Sequence, residues 1–395
     1  MKPEGDKGLK PGWKVWRFDQ MATNVNVRID NPSESGMAHY VGLEHLDADS
    51  LKIRRWGTPD DVEATKLIFK KGDIIFGRRR AYQRKLGVAE FDGICSAHAM
   101  VLRAKPDVAL PMFLPFFIQS DVFMDRAVDI SVGSLSPTIN WKTMAAQEFS
   151  LPPIHEQVKM VGVLGEIENT LSTYTNTLKS SQQNFANIRD RMLWEGEGQS
   201  LHDTHIGLIP AGWEAKRLGE VVNFQGGTQP PAHVFEFTPS LSNVRLIQIR
   251  DYKSDNFATY IPKTLAKKFC SADDVMIGRY GPPVFQILRG LEGAYNVALI
   301  KALPNHGLEK GYLYHFLKEQ ELLRMIEGLS RRSSGQSGVD MDRLKTYPMP
   351  LPPVETQQRL SRLFDSMDLA LDSVRSRISE IAPVREQLMR ATRGV

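Results

Sequence analysis

Two kinds of hydrophobic periodicity divide the chain. Short runs of alternating or β-branched apolar residues, bounded by turn residues, predict strands. They lie at Lys66 to Lys70 ahead of Lys71-Gly72, at Asp73 to Arg78, and at Ile94 to Arg103 after Asp92-Gly93, a dipeptide suited to a tight hairpin. Val244 to Arg250, Asp274 to Arg279 and Ala294 to Ala302 repeat the plan. Each set is followed by one helical stretch, Phe113 to Ile130 and Gly311 to Leu329, then by a Ser/Gly-rich segment and a last short strand leading into Leu-Pro-Pro. There the period changes from two to three and a half. Leu164, Ile167, Leu171, Tyr174, Leu178, Phe185, Ile188 and Met192 fall at alternating spacings of three and four, interrupted by Ser181, which predicts one long helix. Phe364, Met367, Leu371, Val374, Ile378, Ile381 and Leu388 hold the same register in a second. A proline just inside a helix start is compatible with this, because the first turn does not use that N–H. Pro383 is not: it removes an interior hydrogen bond and is expected to kink or end the second helix.

The chain is therefore a doubled unit with a period of 200 residues. Gly12-Trp13 recurs as Gly212-Trp213, Arg17 as Arg217, Gly93 as Gly293, Leu151-Pro152-Pro153 as Leu351-Pro352-Pro353, and Gln157 as Gln357. The stretch Gly72 to Arg78 answers Asp273 to Arg279, slipped by one residue. The expected fold class is α+β: two mainly β domains, each followed by a long helix, the two helices forming an antiparallel coiled coil with pseudo-two-fold symmetry. The expected boundaries are a disordered N-terminus at 1–10, a first β domain at 11–150, a central helix at 151–193, a linker at 194–210, a second β domain at 211–350 and a C-terminal helix at 351–395. A helix of roughly 40 residues spans ~60 Å, more than one ~34 Å turn of DNA. Two unlike readers about a two-fold axis suit a split target whose halves are separated by an unread gap.

Composition narrows the picture. The chain has 395 residues, 42% hydrophobic and 24% charged, which suits a globular protein with two cores. Its longest apolar stretch, Leu110 to Ile118, is broken by Pro111 and Pro115 and falls short of the ~20 residues of a membrane span. The first ten residues lack the apolar centre of a secretory signal, so a loose cytoplasmic terminus is expected. Cys95 and Cys270 lie in different halves without metal-ligand spacing and are expected to be buried, reduced thiols. A net charge of +4 is modest for a nucleic-acid binder, so any DNA site must be a local patch.

The openings GWKVWRF and GWEAKRL, the segments GDIIFGRRR and DDVMIGRYG, the GGTQPP stretch at Gly226 to Pro231, and the helix entries LPPIHEQ and LPPVETQ resemble those of type I restriction-modification specificity subunits. The resemblance runs from about Gly12 to Leu388. It implies a non-catalytic DNA sequence-recognition subunit whose two target-recognition domains each read one half of a bipartite, asymmetric site in double-stranded DNA. It further implies that the helices space those domains and dock two methyltransferase subunits, and that restriction subunits join the full complex. No cofactor is expected in this chain; S-adenosylmethionine is expected on the methyltransferase partners, and ATP and Mg on the nuclease partners.

The densest basic run, Arg78, Arg79, Arg80, Tyr82, Arg84 and Lys85, follows a predicted strand with an aromatic interleaved. Arginine can fork onto guanine O6 and N7, and the remaining cations can hold phosphates. A solvated charged hairpin is the alternative. Arg279 and Tyr280 occupy the matching place in the second half. Ser134, Ser136 and Thr138 precede the last strand of the first domain, with Arg331, Arg332, Ser333, Ser334 and Gln336 as counterparts. Their hydroxyls, amides and charge suit phosphate or base edges, although a flexible Ser/Gly loop would look the same. Gln248, Arg250, Tyr252 and Lys253, with Asp251 among them, are expected to end a strand with mixed donors and acceptors; their counterparts near Leu43, Glu44 and His45 carry less charge.

Two rival readings compete with this one. A methyltransferase with fused recognition domains is invited by Phe224-Gln225-Gly226-Gly227-Thr228 and Gly281-Pro282-Pro283-Val284. The first lacks the second spaced glycine of a cofactor turn, the second lacks the polar start and aromatic end of the adenine-methylating tetrad, and neither sits in a strand-helix alternation. No phosphate loop is present, and the pair His202 and His205, two residues apart in the linker, is read as incidental to metal binding. A pure assembly scaffold that does not bind DNA is the other rival, distinguished by the Arg78 to Lys85 run.

Overall fold

The computed structural model describes residues 9–281, 283–305, 307–330 and 338–390. They form two compact units: one comprises the chain up to Thr175 together with the stretch from Ser376, and the other is Asn176–Arg375.

In the first unit the strand Ile74–Gly77 is buried at all four residues, because both of its faces are covered. The period of two sends Ile74 and Phe76 into a core with Phe113, Phe117 and Phe123, and Ile75 into a second core with Leu67, Phe69, Cys95 and Val101. This strand sits between Ala99–Ala104 and Leu86–Val88, both antiparallel, with Ala22–Asn24 at the far edge. A second sheet runs Arg28–Ile29, Lys66–Phe69, Gly93–Ser96, Tyr40–Val41, its last pair parallel. A two-stranded ribbon pairs Lys14 with Leu151 and Arg17 with Glu148, tying the start of the domain to the helix entry.

The second unit repeats this plan. Val275 and Ile277 enter one core and Met276 another. The closing ribbon pairs Glu214 with Leu351 and Arg217 with Pro348, each residue 200 beyond its counterpart. Its second sheet keeps the parallel pair, Asn243–Ile247 with Gly293–Tyr295, and adds Tyr260–Pro262 on the outer edge.

Several predicted elements are divided. The run Ile94 to Arg103 is two strands, Gly93–Ser96 and Ala99–Ala104, belonging to different sheets, and Ala294 to Ala302 splits likewise into Gly293–Tyr295 and Leu299–Pro304. Both sides of each break are apolar, so alternation alone does not reveal the change of sheet. Asp92-Gly93 is accordingly no hairpin turn. Asp92 Oδ1 accepts the Lys71 amide at 2.8 Å, and Gly93 lies so close to its neighbours that a Cβ there would come within 2.7 Å of the His39 carbonyl oxygen and the Phe69 ring. The strand expected over Val244 to Arg250 stops at Ile247, and a 3₁₀ turn covers Ile249–Tyr252. The stretch Phe113 to Ile130 is two helices, Leu114–Gln119 and Asp121–Asp129, because Ser120 is extended (ψ 153°) and its hydroxyl caps the second. Gly311 to Leu329 is divided in the same way into Lys310–Phe316 and Gln320–Ser330. Within 194–210, Leu201–Thr204 and Gly207–Pro210 pair as a hairpin.

The two long helices are Ile154–Glu195 and Val354–Arg390. The second runs through Pro383 instead of ending there. Tertiary contacts within the first unit hold the turns beyond it: Leu388 packs on the core with Met160, Val161 and Leu164, and Arg385 lies 3.5 Å from Glu168. Every seam position from Leu164, Ile167, Leu171, Tyr174 and Leu178 to Phe364, Met367, Leu371, Val374 and Ile378 is buried or half-buried. Inside the second unit Arg359 pairs with Glu197, while Arg189 donates to the Lys318 carbonyl and Lys318 reaches Asp368. The helix segments of that unit therefore run in opposite senses, and the meeting of Glu168 with Arg385 has the same sense in the first. Both cysteines are buried free thiols. Among the described residues no helix is long and apolar enough to cross a membrane.

Candidate nucleic-acid interface

Residues 78–85 join the antiparallel strands Ile74–Gly77 and Leu86–Val88 as a hairpin loop. A single 3₁₀ turn, Ala81–Gln83, is flanked by Arg80 and Arg84, both left-handed at φ 57° and 52°. Such a backbone costs a non-glycine residue of order 1–3 kcal/mol and persists only where its surroundings hold it. Arg80 is held by its amide, which donates to the Pro137 carbonyl at 2.7 Å, and by its Nε, 3.1 Å from the Ser136 hydroxyl. Arg84 is held by Asp49 at 2.6 Å, Asp121 at 3.2 Å and the Gln119 carbonyl at 2.6 Å.

The basic run thus divides by destination. Arg84 and Lys85 are turned into the domain, Lys85 donating to the Leu43 carbonyl at 2.7 Å, and Arg78 donates to the Ala97 carbonyl at 3.0 Å with its Nε buried and unpartnered. Arg79, Arg80 and Tyr82 face outward, Tyr82 with 54% of its surface exposed. Protein neighbours hold the first group in place, whereas the second keeps exposed groups that can meet a ligand edge.

Two candidate segments that lie far apart in sequence come together. Ile139 donates its amide to the Arg78 carbonyl at 3.0 Å, and Arg79 and Thr138 form a β-bridge, placing Ser136 and Thr138 beside the arginines, while Ser134 lies exposed in the loop before them. An open groove of about 330 Å³ is lined by Leu43, Glu44, Arg79, Arg80, Gln83 and His98. Sequence reasoning missed Gln83 and His98, whose proximity comes only from the fold. Burial, together with the charges of Arg79 and Arg78, lowers the His98 pKa, which leaves its ring neutral and able to accept as well as donate.

The second domain repeats the backbone and changes the side chains. Val339 donates to the Arg279 carbonyl at 3.2 Å, as Ile139 does to Arg78. The Arg279 guanidinium lies 5.2 Å from the centre of the Tyr280 ring. Arg331, Arg332, Ser333, Ser334 and Gln336 lie outside the described residues. Gln248, Arg250, Tyr252 and Lys253 occupy or border the 3₁₀ turn, not a strand end, and they too divide. Gln248 turns to Thr259 at 3.2 Å, and the Tyr252 hydroxyl is buried without a partner, so burial pushes its pKa up. Arg250 and Lys253 are exposed.

Beside them is an open groove of about 630 Å³ whose lining includes Phe237, Arg245, Arg250, Asn256, Phe257 and Tyr260. Phe237 and Phe257 are 74% and 64% exposed, and Arg250 sits 5.7 Å from the Phe257 ring centre. Exposed aromatic rings beside arginine can meet thymine methyl groups and phosphates. No sequence signal separates these phenylalanines from core ones.

The glycine-rich stretch at Phe224 to Thr228 has a packing explanation. A Cβ on Gly227 would fall 2.0 Å from the Asn296 carbonyl oxygen, so glycine is required by the close passage of another backbone segment. His202 and His205 lie exposed on the hairpin of 201–210.

Comparison with known proteins bears on these surfaces. The family described as type I restriction modification DNA specificity domain matches residues 28–181 and again 210–382. The type I restriction enzyme EcoDI specificity subunit of Escherichia coli is 27% identical over 174 residues, 44% of this chain and 37% of that protein. The MjaVIII specificity subunit of Methanocaldococcus jannaschii is 22% identical over 205 residues, 50% of this chain and 46% of that one. Each match therefore spans less than half of the relative's own length. A solved chain from a study of complex assembly and conformational transition of the type I R-M system shares the fold with a TM-score of 0.57 at 21% identity, covering 97% of this chain and 98% of that one. The type I restriction-modification S subunit from M. genitalium does so at 0.58 and 13% identity, with coverage of 98% and 97%.

Proposed function

This chain belongs to the type I restriction modification DNA specificity family, and we propose that it reads a bipartite target in double-stranded DNA, one half with each β domain. The observation that carries this reading is the paired loop. In both domains an arginine following the central strand accepts, through its carbonyl, the amide of a residue at the end of the Ser-containing segment, Ile139 in one and Val339 in the other. One frame is used twice with different side chains, as two readers of unlike half-sites require. Arg79, Arg80 and Tyr82 are the proposed contacts of the first domain, and Arg250, Lys253, Arg279 and Tyr280 those of the second, with base edges read by forked or apolar contact and phosphates held by the remaining cations.

On this reading the chain supplies recognition alone. Methyl transfer from S-adenosylmethionine falls to separate methyltransferase subunits docked on the helices, and ATP- and Mg-dependent steps fall to restriction subunits. The test is the methylation pattern of DNA from a host expressing this chain with its methyltransferase subunits. A split motif with modified adenines in both halves is expected. Binding of the full chain to the matched duplex should fall steeply with salt, because each neutralised phosphate releases counterion. Salt-insensitive binding without sequence preference would instead favour an assembly scaffold.

A further inference from the structure

The last turns of the second long helix reach the reading hairpin of the first domain through Gln119. This side chain is 3% exposed at the end of helix Leu114–Gln119. Its amide oxygen accepts from Arg385, two residues beyond Pro383. Its main-chain carbonyl accepts from Arg84 at 2.6 Å. Arg385 is itself held between Gln119 and Glu168 of the first long helix, with 15% of its side chain exposed against 13% for Glu168. Arg84 is the left-handed residue that closes the turn presenting Arg79, Arg80 and Tyr82. All of these contacts lie within the first unit, around a small groove lined by Asp49, Arg84, Gln119, Asp121 and Arg385 among others.

Among the described residues, the second domain shows no such chain of contacts. There the equivalent helix junction is held by Asp190, which accepts from the Gln320 amide at 3.1 Å and from its side chain at 2.9 Å, while Arg189 donates to the Lys318 carbonyl at 2.6 Å. Glu319, at the position of Gln119, gives its carboxylate to the Leu322 amide and the Tyr347 hydroxyl. Among the described residues of the 279–285 loop, none bonds to that junction.

We propose that Arg385 and Gln119 are positioning residues for the first domain's reading hairpin, so that the helix segment beyond Pro383 sets selectivity for one half-site and not the other. The contacts differ in what they fix. Arg84 needs only the Gln119 carbonyl, which any residue supplies, but the carbonyl keeps its place because the side chain of the same residue is anchored on Arg385. Loss of the anchor leaves the Arg84 bond to the Gln119 carbonyl free to relax, and with it the left-handed residue that closes the turn.

This inference rests on the DNA-reading assignment above, and its test separates the two. The full chain, assembled with methyltransferase subunits, is titrated with three duplexes: the matched target found from the host methylation pattern, and that target scrambled in either half. Arg385→Ala and Gln119→Ala are each expected to reduce discrimination against the scrambled first half by about threefold or more, while the ratio for the second half is unchanged. The double variant should lose no more than either single one, since both break the same link. Arg385→Lys, which keeps a charge beside Glu168, should recover part of the ratio. Equal loss at both halves, or no loss in either single variant, overturns the proposal. A merely structural role would lower the melting temperature and both ratios together. A wild-type chain that discriminates against neither scrambled duplex overturns the DNA-reading assignment itself.

Discussion

Gln157 and Gln357, 200 residues apart, are fully buried and make the same three bonds. Gln157 donates to the carbonyls of Val108 and Pro152 at 2.9 and 3.0 Å and accepts the Leu110 amide at 2.9 Å. Gln357 donates to those of Gly307 and Pro352 at 2.7 and 2.8 Å and accepts the Glu309 amide at 2.8 Å. One amide side chain thus satisfies three backbone groups where each β domain enters its long helix, and only a group that is both donor and acceptor can do so.

Replacing Gln157 or Gln357 with leucine should therefore destabilise its own unit by about 2–5 kcal/mol, the cost of leaving buried backbone groups unpaired. Urea unfolding followed by a probe in each unit measures this. A loss below about 1 kcal/mol in both variants would mean that water or local rearrangement replaces the bonds.

The division of the basic run predicts two unlike phenotypes. Arg79→Ala and Arg80→Ala should weaken binding to the first half-site by ~1–3 kcal/mol per lost base contact. Arg84→Ala should lower stability as well, because its guanidinium joins Asp49, Asp121 and the Gln119 carbonyl. Fluorescence anisotropy alongside thermal unfolding separates the two; equal stability of all three variants would contradict the inward assignment of Arg84.

For the second domain, Phe237→Ala and Phe257→Ala should weaken binding only where a thymine lies in the second half-site. If the ring meets the thymine methyl, replacing that base with deoxyuridine should weaken wild-type binding and leave the alanine variant indifferent, a non-additive pair. Deoxyuridine effects of the same size in both proteins would remove these rings from the reading surface.

His315 links acidity to the stability of the second unit. It is 1% exposed with Nε2 2.8 Å from Asp365, and burial pushes its pKa down to about 4 against the pull of that carboxylate. The folded pKa is below the unfolded value, so the unfolded chain binds the extra proton first. Stability should fall as pH drops from about 6.5 towards about 4, by on the order of 3 kcal/mol, and be fully present above that window. Urea midpoints measured between pH 7 and pH 5 should decline in the wild type and flatten in His315→Gln; parallel slopes would assign the effect elsewhere.

Much of the architecture could be read along the chain because it rests on spacing between near neighbours. The continuous apolar runs at 74–77 and 275–278 and the seam from Leu164 to Leu178 are such cases, and the doubling at Gln157 and Gln357 shows as a plain sequence repeat. Elements failed to follow the pattern where a distant partner decided the outcome. Ile94 to Arg103 looks like one strand but serves two sheets, because the part before Ala97 pairs with Lys66–Phe69 and Tyr40–Val41 and the part after it with Ala22–Asn24 and Ile74–Gly77. The helix continues beyond Pro383 because Leu388, Glu168 and Gln119 hold turns that the local backbone alone would not.

The same distinction applies at the candidate interface. The sequence by itself determined that arginines, hydroxyls and an aromatic cluster after the central strand of the first domain, since composition and position are local properties. Only the tertiary structure decided which of them are free: Arg84 and Lys85 are satisfied by groups 35 and 42 residues away, and Phe237 and Phe257 are left uncovered. A side chain's availability is the balance of its bonds to solvent and to remote residues, and that balance exists only once the chain has folded.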